Sequence, residues 1–274
     1  MTKIATLNLK IPLENYNFHY KFQLSNTKNC ILDISENHHI SKSEELYKFY
    51  SFNSNNIDAL QNSYFYLTSP REFNDPFDCQ NNQEELIQKK YPIRKEIFDN
   101  LGVSCFTRNI QNPSMWNRYA DDYSGYCIKF KNNHLIDQSE IDIRSNVAYT
   151  KEYYSIEYYY QNIFKEIDRQ SIDESSKNDM KFIITIGHKY CQKSIEWKNE
   201  EEYRIVSLRC KENYRKIKYD KLMIEAIYLG HNMSEESRNH IVDELKSLNI
   251  KPMLFIVNPS SIYRKLNFES CNGY

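Results

Sequence analysis

The stretch Phe73-Asn74-Asp75-Pro76-Phe77-Asp78 follows the strand-like run Tyr64-Phe65-Tyr66-Leu67-Thr68-Ser69 after three residues, Pro70-Arg71-Glu72. A hydrophobic strand therefore leads into a loop that combines two aromatic rings with two acids, an amide and a rigid proline. Pro76 disfavours helical geometry at Asp75, so the loop should present its polar groups in a fixed direction. Such a loop is either a specified turn or the rim of a site.

Short strands and helices surround this loop without regular βαβ alternation. Strands are predicted at 46–52, 64–68, 103–106, 125–130, 143–149, 202–206, 224–229 and 253–257. Helices are predicted after a cap at Asn56, at 83–100, 114–120 and 152–194, and after a cap at Ser234. The mixture favours an α+β fold with mixed, mainly antiparallel sheets flanked by helices.

The chain divides into one main domain and two terminal segments. Residues 1–43 are interpreted as an N-terminal extension, with a hairpin formed by 6–11 and 18–24 and a linker at 35–43. Residues 44–265 form a single α+β domain, and 266–274 a C-terminal tail.

Charge and composition exclude several classes of protein. The 274 residues carry a formal charge of −1, which gives no broad electrostatic footprint for nucleic acid, and the basic segment 209–221 is interpreted as a solvated face. Seven scattered cysteines indicate buried thiols in a reducing compartment, and neither cysteines nor histidines show metal-ligand spacing. No signal or membrane segment is visible, so we expect a cytoplasmic protein without membrane or metal.

Two further polar segments lie on predicted element edges. Met115-Trp116-Asn117-Arg118-Tyr119-Ala120-Asp121 places Trp116 and Tyr119 on one helix face. In Trp197-Lys198-Asn199-Glu200-Glu201-Glu202-Tyr203-Arg204, a strand's period of two puts Glu200, Glu202 and Arg204 on one side. Two carboxylates and a guanidinium can hold a hydroxylated or cationic ligand, and an ionised glutamate can stabilise an oxocarbenium ion.

Each of these features also has a structural interpretation. The acidic strand face could be an exposed surface with a cross-strand salt bridge, contributing about 0–1 kcal/mol. Core packing is the simpler explanation of Trp116 and Tyr119, and an Asx-type turn is that of Asn74 and Asp75. His188 lies in an apolar helical context, typical of a core histidine. The motifs of hydrolase triads, phosphate-binding loops and zinc proteases are absent from the sequence.

Several short sequence motifs, taken in order, resemble those of the bacterial family called domain of unknown function 2971, over about residues 44–258. The motifs are 46–50, 66–70, 73–78, 104–106, 115–120, 125–130, 197–204 and 227–230. The motifs Phe73–Asp78 and Trp197–Arg204 are specific for this family when they occur together.

The layout of that family is similar to ADP-ribosyltransferases of the bacterial toxin and phage-defence kind, which implies a split sheet and NAD as substrate. The resemblance implies that Glu202 contacts the nicotinamide ribose, that Glu200 faces the acceptor, and that Tyr66, or Thr68 with Ser69, lines the nicotinamide pocket. Glu202, Glu200 and Tyr66 are thus the candidate catalytic residues. The candidate NAD-binding residues are Tyr50, Ser51, Ser69, Phe73, Asn74, Asp75, Trp116, Tyr119 and Arg204. Lys48-Phe49-Tyr50 stands where such enzymes carry a histidine or arginine.

The resemblance therefore favours an NAD-dependent ADP-ribosyltransferase or NAD glycohydrolase-like effector, in phage defence or a toxin system. NAD or a related nucleotide would be the ligand, and the acceptor a protein side chain, a nucleic-acid base or water. One alternative is a non-enzymatic ligand- or partner-binding domain on the same scaffold. The other is a metal-dependent nuclease using Asp75, Asp78, Glu200 and Glu202.

Overall fold

The computed structural model describes most of the chain. The described residues are 5–13, 16–24, 30–36, 45–75, 77–79, 89, 95–131, 141–151, 160–210, 215–263 and 265–271, and side-chain environments are described from residue 45 onward. Most of the predicted helix at 83–100, and the linker from residue 37 onward, lie outside these residues.

Strands make up most of the regular structure. They are β1 (Ala5–Leu13), β2 (Tyr16–Leu24), β3 (Cys30–Glu36), β4 (Glu45–Tyr50), β5 (Tyr64–Tyr66), β6 (Gly102–Thr107), β7 (Tyr126–Lys131), β8 (Ile143–Asn146), β9 (Ala148–Thr150), β10 (Gln192–Ser194), β11 (Glu202–Ser207), β12 (Lys216–Lys218), β13 (Ile224–Gly230), β14 (Met253–Pro259) and β15 (Leu266–Ser270).

Helices connect and cover the strands. The α-helices are α1 (Ser54–Gln61), α2 (Lys95–Asp99), α3 (Pro113–Tyr119), α4 (Lys165–Asp168), α5 (Glu174–Tyr190) and α6 (Glu235–Ser247). Shorter 3₁₀ helices span Pro70–Glu72, Ile195–Glu200 and Lys221–Met223, and a π-helical turn, Tyr160–Phe164, precedes α4.

One large sheet organises the described part of the molecule. Its strand order is β1-β2-β3-β8-β11-β6-β4-β7-β13-β14-β15, antiparallel except for the pairs β3–β8 and β13–β14. Two small sheets, β9–β10 and β5–β12, lie outside it. This arrangement confirms the predicted α+β class with a mixed, mainly antiparallel sheet flanked by helices.

The large sheet is weakly joined between β4 and β6. These neighbours share the single residue pair Tyr47↔Thr107, whereas β4 pairs with β7, and β6 with β11, along six residues each. We call this junction the seam. It divides the sheet into a half ending at β6 and a half beginning at β4.

Apolar helix faces cover both surfaces of the sheet. Helix α5 packs Met180 and Ile183 against Val103 and Val206 in the half that contains β6. In the other half, α1 and α6 pack on one surface and α3 packs on the opposite one. Alternation along β4 explains the second arrangement, because successive strand side chains point to opposite faces.

Local details differ from the sequence predictions in three places. Asn53, not Asn56, caps α1, because the Asn53 side chain accepts a hydrogen bond from the Asn56 N–H. The predicted strand 143–149 is divided between β8 and β9, which belong to different sheets. The predicted helix 152–194 includes β10 near its end, and its residues 152–159 lie outside the described part.

The predicted domain boundaries stay predictions, and strand pairing crosses both of them. β1 and β2 form an antiparallel pair, and β3 connects this pair to β8 of the main domain. At the other end, β15 pairs with β14. A search of the described helices for a long, apolar membrane-crossing candidate finds none.

Candidate functional site

A cleft of about 310 Å³ opens at the seam. Residues of β4 and β6 form two of its walls, and the Phe73–Asp78 loop contributes a third. The lining residues are Tyr47, Lys48, Phe49, Thr68, Glu72, Phe73, Asn74, Asp75, Asp78, Cys105, Phe106, Thr107, Met115, Tyr119, Lys193, Glu200 and Glu202.

Asp75 shapes the loop that forms the rim of this cleft. Its Oδ1 accepts a hydrogen bond from the Phe77 N–H at 2.8 Å, and its carbonyl accepts one from the Asp78 N–H at 3.0 Å. Asp75 therefore makes the Asx turn considered above, and it also lines the cleft. The turn leaves Phe77 exposed and Asp78 buried.

Five buried charged side chains lie together beneath the cleft. We call Asp78, Glu200, Glu202, Lys193 and Arg204 the charged cluster, and each is at most 5% exposed. The interpretation of Glu200, Glu202 and Arg204 as an exposed strand face is therefore wrong. Buried charges of this kind are tolerated only when they are paired and hydrogen-bonded.

Arg204 joins two of the acids through its guanidinium group. Its Nη1 and Nη2 donate to the two Asp78 oxygens at 2.8 and 2.6 Å. Its Nε and Nη2 donate to the two Glu202 oxygens at 3.1 and 2.9 Å. A further hydrogen bond, to the Tyr190 carbonyl at 2.8 Å, ties the cluster to the end of α5. Arg204 is thus a structural support behind the carboxylates and does not line the cleft.

Lys193 is the second cation of the cluster, and it lines the cleft. Its Nζ lies 2.6 Å from Glu200 Oε2, 3.3 Å from Glu202 Oε2 and 3.6 Å from Asp78 Oδ2. The same Nζ stands 5.1 Å from the centre of the Trp197 ring. One ammonium group therefore holds all three carboxylates in place.

A change of backbone conformation turns both glutamates inward. Glu200 ends the 3₁₀ helix, Glu201 follows in the left-handed region with φ 44°, and β11 begins only at Glu202. The predicted continuous strand through Glu200 is therefore wrong, although the two side chains do meet. Glu201 itself points outward, where its Oε1 accepts a hydrogen bond from Asn109.

The two glutamates have pKa values displaced in opposite directions. Burial raises the pKa of Glu200 above its ordinary value, and Lys193 offsets this only in part. Burial also opposes ionisation of Glu202, but Arg204 and Lys193 outweigh it and hold the Glu202 pKa below its ordinary value. Burial alone would lower the pKa of Lys193, but Glu202 and Glu200 raise it. The cleft therefore contains one firmly ionised carboxylate beside one that protonates more easily.

Helix α3 contributes Tyr119 to the cleft and Trp116 to the core. Tyr119 is 41% exposed, and its hydroxyl lies 3.4 Å from Glu200 Oε1. Trp116 is fully buried, with its Nε1 donating to the Ile110 carbonyl and its ring packed edge-on against Phe49. Core packing therefore accounts for Trp116 but not for Tyr119.

The remaining predicted site residues fall into two groups. Phe73, Asn74 and Asp75 line the cleft together with both glutamates and Tyr119. Tyr50 is buried and stacked on Tyr126. The others outside the lining are Ser51, Ser69 and the exposed Tyr66, which pairs with Lys216 in the small β5–β12 sheet. His188 is a core residue, and burial lowers its pKa to about 3.

Sequence reasoning missed Lys193 and Lys48, and it did not identify the partner of Asp78. Asp78 stood within the quoted loop, but nothing in the loop indicated a partner 126 residues away. Lys193 lies on the short strand β10, and Lys48 lies on β4 between apolar neighbours. The sequence offered one sign of a missed site residue, a lysine between apolar residues of a strand, and this sign applied to Lys48 alone.

No group of three or more metal-binding side chains is found among the residues that the structure describes. The three carboxylates of the charged cluster lie around Lys193 Nζ, at 2.6 to 3.6 Å from it.

Comparison with known proteins finds one similarity, to a family model. No curated protein and no solved structure matches the chain. A family model does match residues 115–205, a segment that runs from α3 into β11 and includes Tyr119, Lys193, Glu200, Glu202 and Arg204. The matching model is described as Protein of unknown function (DUF2971), which supports the family predicted from the sequence over residues 115–205.

Proposed function

We propose that the protein consumes NAD as an ADP-ribosyltransferase or NAD glycohydrolase, with the nicotinamide end of NAD in the seam cleft. One observation carries the proposal. Glu200 and Glu202 line the same cleft, share Lys193 as a partner, and have pKa values displaced in opposite directions. Many enzymes that break glycosidic bonds use two carboxyl groups whose pKa values their surroundings displace from each other.

The two carboxylates would divide the work between them. As the bond from ribose C1′ to the nicotinamide nitrogen breaks, its electron pair leaves with neutral nicotinamide and C1′ becomes oxocarbenium-like. Ionised Glu202 would hydrogen-bond the ribose 2′-hydroxyl and stabilise that charge, a contribution of about 2–4 kcal/mol. Glu200 would accept the proton of the attacking acceptor as its oxygen or nitrogen bonds to C1′.

The shape of the cleft supports the same proposal. Its volume of about 310 Å³ is near the lower end for small-molecule pockets, which suits one ring and a ribose better than a whole dinucleotide. Phe73, Phe106 and Tyr119 provide aromatic surfaces for a planar ring. The cleft lies at the seam, where the sheet is weakly joined. We propose that this seam corresponds to the split in the sheet of ADP-ribosyltransferases.

Release of nicotinamide tests this function directly. Purified protein would be incubated with NAD, alone and with protein or nucleic-acid acceptors, and nicotinamide would be measured by chromatography. We expect Glu202→Gln to reduce the rate about 10²–10³-fold, and Glu200→Gln to reduce transfer to an acceptor. Glu269→Gln, an exposed position on β15, serves as the matched control. Wild-type protein that releases no nicotinamide under any of these conditions would contradict the proposal.

A non-enzymatic binding domain is the second candidate. Both oxygens of Glu202 already accept hydrogen bonds from Arg204, an arrangement that also suits a purely structural carboxylate. In that case wild-type protein and Glu202→Gln would be equally inactive, whereas Phe73→Ala at the rim and Trp116→Ala beneath it would weaken ligand binding. The nuclease alternative has less support, because Lys193 Nζ lies between the carboxylates that a metal would need.

A role as a phage-defence or toxin effector would follow from NAD consumption. Cells that express the wild-type chain should then lose NAD, and cells that express Glu202→Gln should not. Equal NAD levels in the two cultures would count against the effector role.

A further inference from the structure

Lys48 differs from Lys193, the other cation among the lining residues, in that its hydrogen-bond acceptor is a backbone carbonyl and not a carboxylate. It lies on β4 between Tyr47 and Phe49, and its Nζ donates to the Cys105 carbonyl of β6 at 2.9 Å, across the seam. Among the described residues, Lys48 forms no ion pair with a carboxylate, whereas Lys193 contacts three. Within the part of the chain that the structure describes, one of its three N–H donors is used, by a neutral acceptor.

The surroundings of Lys48 compensate only in part for the burial of its charge, since the negative charge of Glu202 favours the ionised form but does not outweigh desolvation. The side chain is partly buried, with its Nζ 5.2 Å from the Phe106 ring centre and 5.7 Å from that of Tyr50. Burial lowers the pKa of Lys48 from its ordinary value, which means that the folded protein bears a desolvation cost at this position. An anion that entered the cleft would offset that cost and occupy the remaining donors.

Cys105 of β6 lies between Lys48 and Glu202. Cys105 accepts the Lys48 hydrogen bond with its carbonyl, and its side chain is near enough to Glu202 to help lower the pKa of that carboxyl group. The cleft therefore presents a carboxylate wall and, one residue of β6 away, an ammonium group that lacks a carboxylate partner among the described residues. This arrangement suits a ligand that presents a positive group to Glu202 and a negative group to Lys48.

We propose that Lys48 is the anion-binding residue of the cleft and that the anion is a phosphate group of a nucleotide ligand. The identity of the ligand as a nucleotide rests on the function proposed above, whereas the phosphate site itself does not. In NAD the pyridinium ring is positive and the diphosphate negative, so the ring would face Glu202 and the phosphate would face Lys48.

Two probes that differ by one phosphate test the site. Binding of nicotinamide mononucleotide and of nicotinamide riboside would be measured by calorimetry, with inorganic pyrophosphate as a probe without a base or sugar. We expect the wild-type protein to prefer the mononucleotide by about tenfold or more, as a charge-assisted hydrogen bond allows. Lys48→Met should abolish this preference and the binding of pyrophosphate, and Lys48→Arg should keep both.

The controls separate this site from a general charge effect and from misfolding. Lys265→Met removes an exposed lysine and should leave every affinity unchanged. Thermal unfolding of Lys48→Met and Lys48→Arg checks that both variants fold. Equal affinity of the wild-type protein for the two probes, no binding of any probe, or an unchanged preference in folded Lys48→Met would each overturn the proposal.

Nicotinamide release, measured on the same variants, distinguishes this inference from the proposed function. A phosphate preference that depends on Lys48, without any release, would contradict the enzyme and keep the anion site. Release with an unchanged KM for NAD in Lys48→Met would keep the enzyme and overturn the anion site.

Discussion

Arg204 is fully buried, and its guanidinium group forms ion pairs with both Asp78 and Glu202. Arg204→Met would leave these two carboxylates buried with Lys193 as their remaining cation in the cluster. Removing one partner from a buried ion pair typically costs about 3–5 kcal/mol, so we expect a loss of that size in the free energy of unfolding. Urea unfolding followed by circular dichroism measures it.

The exposed pair Arg71–Asp99 provides the control for this prediction. Both of its side chains are more than half exposed, and Arg71→Met should cost about 0–1 kcal/mol. If the two variants lost equal stability, the charged cluster would contribute no more than a surface salt bridge.

Glu202 and Glu200 should affect the pH dependence of stability in opposite ways. The pKa of Glu202 is lowered in the folded protein, so its contribution is complete above the unfolded value of about 4.3 and is lost as the pH falls further. The pKa of Glu200 is raised, so its ionisation destabilises the fold at neutral pH and its protonation on acidification removes that cost.

Unfolding measured in urea between about pH 6 and pH 3 would check these directions. Relative to the wild-type protein, the stability of Glu202→Gln should decline less steeply with acid, and that of Glu200→Gln more steeply. Parallel curves for all three proteins would show that neither pKa differs between the folded and unfolded states.

At the scale of an element, Asn112 connects α3 to the 3₁₀ helix that carries Glu200. Its Oδ1 accepts from the Ser114 N–H at 2.9 Å and caps α3, while its Nδ2 donates to the Asn199 carbonyl at 2.8 Å. Asn112→Asp keeps the cap and loses the donor, whereas Asn112→Ala loses both. We expect Asn112→Ala to cost about 1–2 kcal/mol and Asn112→Asp about half of that.

Thermal unfolding of the two variants separates the cap from the connection. Ser234→Ala, which removes the cap of α6 away from the cleft, gives the cost of a cap alone. If Asn112→Asp lost as much stability as Asn112→Ala, the bond to Asn199 and not the cap would be the dominant contribution.

The elements that the sequence predicted well are those with a strong local pattern. Strands β7, β11 and β13 and helix α6 follow from alternation, periodicity and caps that neighbouring residues supply. The break at Glu201 was missed because a left-handed glutamate has no sequence signature. Lys193 was missed for another reason, since no local pattern indicates that β10, the 3₁₀ helix and the start of β11 bring it beside Glu200, Glu202 and Asp78.

At the scale of the whole molecule, the N-terminal strands complete one edge of the large sheet. β3 pairs with β8, so a chain without residues 1–36 would leave β8 as an unpaired edge strand. Unpaired edges promote association, and we expect this truncated protein to aggregate or dimerise where the full chain does not. Size-exclusion chromatography with light scattering measures this.

A truncated protein that stayed monomeric and equally stable would instead support the predicted boundary at residue 43. The sequence indicated a hairpin in this region from alternation alone, but it offered no sign of the partner of β3. Strand order in a sheet depends on contacts between distant segments, whereas alternation reports only which residues share a face.

The seam has a mechanical consequence for the molecule. Each half of the sheet is held by long ladders of hydrogen bonds, but Tyr47↔Thr107 and the Lys48–Cys105 bond span the junction. A change of twist between the halves would therefore break few hydrogen bonds and would be opposed mainly by side-chain packing across the seam, such as that of Phe106 against Phe130. The width of the cleft is coupled to that twist, so a ligand that bridges β4 and β6 would stiffen the entire sheet.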